Sequence, residues 1–165
     1  MPSLAETLTI IPHGDREIII KRSFKAPRQL VFDAWTKPEL IRRWQAGPEG
    51  WVMTACDVDL RVGGRVRFEW ERPQSGMKMG LTGIYQDVVV PARLVCTEIF
   101  DEDWTGGETL STLVFTEAGG MTTTTNTIRY LSPEGRAQAL QSGMETGMAE
   151  GYRKLDDIFA ALVAE

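Results

Sequence analysis

Apolar and polar positions along the chain follow a period of two, then of about 3.6, then of two again, and close on a long second stretch at about 3.6. Residues 16–24 read as a strand rich in isoleucine, and Leu8-Thr9-Ile10-Ile11 ahead of them as a short strand. Ala26-Pro27 stops the first strand. Pro27 suits the opening of a helix, because its fixed φ fits the first turn and its missing N–H has no partner there. Leu30, Val31, Ala34 and Trp35 recur at helical spacing, which predicts a helix over residues 27–36. Pro38 opens a second short helix carrying Leu40, Ile41 and Trp44, and Gly47-Pro48-Glu49-Gly50 ends it.

From residue 51 the period is two again. A strand over 51–60 leads into a turn at Val62-Gly63-Gly64. The return strand, 65–71, carries Val66, Phe68 and Trp70 on one face and Arg65, Arg67, Glu69 and Glu71 on the other, as an antiparallel sheet with one wet face requires. After Pro73-Gln74-Ser75-Gly76, strands are predicted at 79–90, 93–101, 109–117 and 121–130. Their separators are Pro91-Ala92, residues 101–107 and Ala118-Gly119-Gly120.

The closing segment, 133–165, reads as one helix, which would span roughly 45 Å. Met144, Met148, Leu155, Phe159 and Leu162 form an apolar stripe along it, beside Gly143, Gly147 and Gly151 at four-residue spacing. A glycine inside a helix costs about 1 kcal/mol against alanine. The three therefore predict either a close approach to another layer or a face bordering a space that side chains leave open. An apolar sheet face must be covered, and this helix is the one predicted element long enough to do it.

Composition narrows the partners. The 165 residues fit one domain, 42% of them apolar and 25% charged. A net charge of -5 argues against nucleic acid or an anionic membrane surface, and the pairs Lys21-Arg22 and Arg42-Arg43 read as solvated faces. No apolar run approaches a membrane span and no segment resembles a signal peptide, so a soluble, cytoplasmic protein is expected. Cys56 and Cys96 lie in strand-like runs without a CxxC or histidine partner. Reduced core thiols are expected, although a bridge would form if the two faced each other.

Several motifs in order give a resemblance. They are Phe24-Lys25-Ala26-Pro27, Val31-Phe32-Asp33-Ala34-Trp35-Thr36, Pro38-Glu39-Leu40-Ile41-Arg42-Arg43-Trp44 and Asp59-Leu60-Arg61-Val62-Gly63-Gly64-Arg65. Gly83-Ile84-Tyr85, Pro91-Ala92-Arg93-Leu94-Val95 and Ser142-Gly143-Met144-Glu145-Thr146-Gly147 follow. Over residues 16–163 the chain resembles the SRPBCC (START-like, Bet v 1-like) superfamily, and within it the activator of Hsp90 ATPase (AHSA1)-like family. The resemblance implies an α+β helix-grip fold. A curved antiparallel sheet of about six to seven strands wraps a long C-terminal helix, with two short helices after the first strand and a hydrophobic cavity between sheet and helix. Residues 1–15 would be an N-terminal extension and 16–165 the single domain. Met148 stands where an aromatic, often tryptophan, is common in the family, which implies an altered cavity shape.

Catalytic sets are hard to assemble. His13 is the one histidine, in a predicted loop, and no Ser-His-Asp, Cys-His or transition-metal set can be built around it. Gly63-Gly64, Gly106-Gly107 and Gly119-Gly120 read as hairpin turns rather than phosphate loops, so neither cofactor nor metal is expected. Asp57, Asp59, Glu69 and Glu71 read as cross-strand charge pairing with Arg61, Arg65 and Arg67, with Asp59 and Arg61 fixing a turn. Glu98 differs. It alternates with Leu94, Cys96 and Phe100 and so points inward, where a carboxylate needs a partner or a raised pKa and can orient a ligand.

Aromatic residues and methionines supply the other candidates: Phe68, Trp70, Tyr85, Trp35 and Trp44, with Met144 and Met148 on the helix. Each could simply pack the core; together with the glycine stripe they outline a partly hollow interface. The expected function is binding of a small hydrophobic or aromatic molecule by Phe68, Trp70, Tyr85, Glu98, Met144, Met148, Trp35 and Trp44, in a stress- or metabolism-associated protein. The resemblance implies two alternatives: partnership with an Hsp90-type chaperone, and a polyketide cyclase or aromatase-like enzyme using Glu98, Tyr85 and Arg129. Binding without catalysis is favoured over either. The outer sheet face could also support a homodimer.

Overall fold

The computed structural model describes residues 3–102 and 105–165. Its strands are β1 (Thr9–His13), β2 (Glu17–Phe24), β3 (Val52–Val58), β4 (Arg65–Arg72), β5 (Met77–Val89), β6 (Arg93–Phe100), β7 (Thr109–Ala118) and β8 (Met121–Arg129). They form one antiparallel sheet in the order β1-β2-β8-β7-β6-β5-β4-β3. β3 to β8 run as a meander, and β2 closes onto β8 with Ile18 opposite Ile128 and Phe24 opposite Thr122. Between β2 and β3 lie α1 (Arg28–Thr36) and α2 (Pro38–Trp44); α3 (Pro133–Gln141) and α4 (Met144–Val163) end the chain. Among the described residues no helix is long and apolar enough to cross a membrane.

The sheet has eight strands rather than six or seven, the eighth being β1, the short strand expected around Ile10. The separator expected at 101–107 is the β6–β7 loop; Asp103 and Trp104 within it, like Met1 and Pro2 of the N-terminal stretch, lie outside the described residues. Cys56 and Cys96 are free and buried.

The closing helix departs most from expectation, because it is two helices. Ser132 caps α3 by accepting a 3.0 Å hydrogen bond from the Gly135 N–H, and Pro133 takes the first helical position. The chain then breaks at Gly143, whose φ of +82° belongs to the left-handed region and cannot continue a right-handed helix. The three glycines thus have three different settings. Gly143 is the break. Gly151 marks a close approach: a Cβ there would meet the Trp44 carbonyl at 3.3 Å and its ring at 3.4 Å. Gly147 faces open space, with nothing within 4 Å of where a Cβ would lie. Gly147→Ala should therefore stabilise the fold by about 1 kcal/mol through helix propensity alone, read as a raised urea midpoint. A drop in the midpoint would mean that this face of α4 is covered.

Alternation along β2 places Ile18, Ile20, Arg22 and Phe24 on the inner face. The Phe24 ring meets Trp35, Tyr152 and Phe159 edge-on, with centroids 5.9, 5.6 and 5.6 Å away. Those contacts tie β2 to both α1 and α4. Arg22 is a cation in an otherwise apolar row. It is 1% exposed, bound through both terminal nitrogens to Asp156 of α4 at 2.7 Å, and lies over the Phe24 ring at 4.8 Å. A fork-to-fork pair of this kind fixes position as well as charge, so it sets where α4 crosses the sheet.

Candidate functional site

Glu98 is the anchor of the inner face. Along β6 the alternation turns Leu94, Cys96 and Glu98 inward and leaves Arg93 and Ile99 exposed. Glu98 stands opposite Gly83 of β5 and Thr109 of β7 in the ladder, so one of its neighbours contributes no side chain. Tyr85 of β5 lies opposite Cys96, and Tyr130 is buried just after β8. Above, the first turn of α3 rests on the β6–β7 loop so closely that a Cβ on Gly135 would overlap the Thr105 carbonyl.

The Glu98 carboxyl makes no hydrogen bond or ion pair with another described residue. The residue faces inward from β6 and keeps accessible surface. Its oxygens are not sealed off, because Arg22 Nε is the one sealed and unpartnered side-chain polar atom among the described residues. An unpaired carboxyl that faces the inner side of the sheet and is still accessible can receive a ligand group. Burial alone lifts the Glu98 pKa from 4.5 to about 7.

The groups around it respond to that acid. Burial pushes the Cys96 thiol up to about 12, with the Glu98 charge adding to the effect. Tyr130 is likewise raised to about 12, first by burial and then by Glu98. Tyr85 is held well above its ordinary value by burial, then by Cys96 and Glu98. This part of the inner face therefore presents one acid whose pKa is raised to about 7, among phenols and a thiol raised well above neutrality.

The other predicted residues belong to one hydrophobic core, within which two aromatic pairs stand out. Phe68 and Trp70 of β4 are buried and edge-on to each other at 5.9 Å, with Trp70 Nε1 donating to the Gln45 carbonyl at 2.7 Å. Trp35 and Trp44 meet at 4.8 Å within a cluster that includes Tyr152, and Trp44 Nε1 donates to the Ala34 carbonyl at 2.8 Å. With its polar edge satisfied by α1, Trp44 acts as a wall of the core. Met144 and Met148, on the first turns of α4, are half-buried against that core. Arg129, grouped with Glu98 and Tyr85 in the enzymatic reading, is exposed on the outer face opposite Glu17 and Leu110, so the structure does not bring those three together.

Sequence reasoning missed three inner groups: Tyr130, the Ser111–Asn126 pair, whose side chains hydrogen-bond at 2.7 Å, and the Arg22–Asp156 pair. Arg22 carried a signal, since it interrupts the apolar row Ile18, Ile20, Phe24. On the outside, Arg67 is bound chiefly by Asp101, a partner outside the expected set, through two 2.7 Å hydrogen bonds, with Glu69 at 3.5 Å. Arg61 and Asp59 meet at 2.8 Å in the β3–β4 turn, where a Cβ on Gly64 would overlap the Asp59 carbonyl. Two surface hollows, of about 310 Å³ beside the last turns of α4 and about 400 Å³ where β6, β7 and β8 end, are lined by none of the eight predicted residues.

A single curved sheet whose inner face is covered by α1, α2 and a C-terminal helix pair defines a helix-grip protein. Residues 25–160 match the family described as Activator of Hsp90 ATPase homolog 1-like protein, and the chain belongs to that family. A solved protein of Rhodobacter sphaeroides is 36% identical, with 94% of this chain and 99% of that one covered at a TM-score of 0.88. One from Staphylococcus epidermidis is 30% identical, covering 92% and 93% at 0.78. An AHSA1-like protein from Aeromonas hydrophila, 24% identical, covers 86% and 93% at 0.70 and shares the fold. No curated protein matches the chain.

Proposed function

We propose that the chain binds one small, largely apolar or aromatic molecule beneath α3 and α4, with Glu98 as its polar anchor. The observation that carries this is the Glu98 carboxyl, facing inward from β6, without a partner among the described residues and still accessible. An acid left without a partner in a core is a standing cost, which a stable fold tolerates where a ligand repays it. Phe68, Trp70, Tyr85, Met144 and Met148 supply the apolar lining in this reading, and Trp35 with Trp44 the packed wall behind it. Binding rather than turnover is favoured, because the groups beside Glu98 stay protonated and lack a nucleophile–base pair.

Titration with the uncharged fluorescent probe N-phenyl-1-naphthylamine tests it. One probe per chain should bind, and Met148→Trp, which adds volume on α4, should weaken binding roughly tenfold without lowering thermal stability. A folded protein that leaves the probe's emission unchanged would overturn the reading. The family's description supports a second role, as a partner of an Hsp90-type chaperone. Unchanged ATP turnover by such a chaperone in the presence of this chain would dispose of it.

A further inference from the structure

The interior is electrostatically one-sided. Glu98 is an acid without a base: burial is the sole cause of its displaced titration, and no positive charge offsets it. Three arginines have their guanidinium groups committed to other partners. Arg22 is held by Asp156, Arg67 by Asp101 on the outer face, and Arg136 of α3 by the carbonyls of Gly14 and Glu17. The described groups that feel the Glu98 charge are all neutral acids. β5 supplies Tyr85, β6 supplies Cys96 and the end of β8 supplies Tyr130, all protonated near neutrality. Glu134 of α3 and Glu145 and Glu150 of α4 are exposed.

A ligand entering such a space meets one carboxyl and several aromatic faces. A carboxylate or phosphate would add a second negative charge with no cation to receive it. A neutral molecule would leave the acid's desolvation uncompensated. A cation would convert that cost into a charge-assisted hydrogen bond, and the ring of Tyr85 would favour the same charge. We propose that the ligand of this site is an aromatic or apolar amine whose protonated nitrogen pairs with Glu98. The assignment rests on the binding reading above and narrows it to one chemical class.

Three probes of one shape separate the possibilities: 1-naphthylmethylamine, 1-naphthylmethanol and 1-naphthoic acid, titrated calorimetrically into the wild-type chain and into Glu98→Gln. At about pH 8 the amine should bind roughly tenfold tighter than the alcohol, and the acid weakest of the three. Glu98→Gln should erase the preference for the amine over the alcohol. In the wild type the amine should tighten as pH rises from about 6 to about 8, the range over which Glu98 ionises while the amine keeps its proton. The variant should show no such rise. Equal affinity for amine and alcohol in the wild type, or an amine preference that survives Glu98→Gln, sinks the cationic assignment while alcohol binding preserves the cavity reading. Failure of all three probes to bind sinks both.

Discussion

Asp156→Ala should destabilise the protein by about 3 kcal/mol, a fall in melting temperature of about 6–12 °C. Arg22 is 1% exposed and bound to Asp156 by two hydrogen bonds of 2.7 Å, and its Nε is already without a partner. Removing the carboxylate strands a guanidinium between β2 and α4, with only the Ser23 carbonyl left to accept from it. The Asp156 side chain is 20% exposed, so water enters from one side and the loss stays at the lower end of what a buried pair gives. The charge is the cause, not the volume. The double variant Arg22→Met with Asp156→Leu should therefore recover most of the stability. If Asp156→Ala melts within about one degree of wild type, the pair is not what fixes α4 on the sheet.

Glu98→Gln should raise stability at about pH 8 by about 3 kcal/mol and flatten its dependence on pH. The folded carboxyl titrates near 7 against 4.5 when free, so the folded chain holds the proton more tightly across that interval. Stability is then greatest toward the acid end, falls as pH rises through the interval, and levels off once Glu98 is ionised. Asp101 works in the opposite direction, because Arg67 holds its carboxyl below the usual value; being exposed, it contributes little. Urea midpoints measured across this range would read the slope directly. A wild-type profile that does not fall between about pH 5 and about pH 7 would mean that the Glu98 environment is wetter than its depth implies.

Much of the fold was written in local pattern. Along β4 the alternation of Val66, Phe68 and Trp70 with charged neighbours is sufficient, because a sheet with one wet face leaves no other solution. Glu98 was legible in the same way, since its neighbours two positions away are apolar. The helix break was not. A period of 3.6 runs through Gly143 without interruption, and the useful sign was weaker: α3 buries only Gly135 and Ala139, small residues that no apolar stripe announces. The Arg22–Asp156 pair was out of reach for a different reason. Its members lie 134 residues apart, and no local rule connects a strand position near the start to a helix position near the end. Tyr130 lay within the strand predicted over 121–130 but was missed because Thr122, Thr124 and Asn126 on the same face are polar, so no apolar row pointed to it.

The pairing of β2 with β8 has a consequence for how the protein is made. Ser23 and Thr123 touch across that seam although 100 residues separate them. The meander from β3 to β8 can assemble from neighbouring hairpins as the nascent chain leaves the ribosome, whereas β2 must wait for the last strand. Arg22 therefore waits for a counter-ion that lies 134 residues further along the chain. Such distant closure slows folding and leaves β2, with its run of isoleucines, without its β8 partner until that strand has been made.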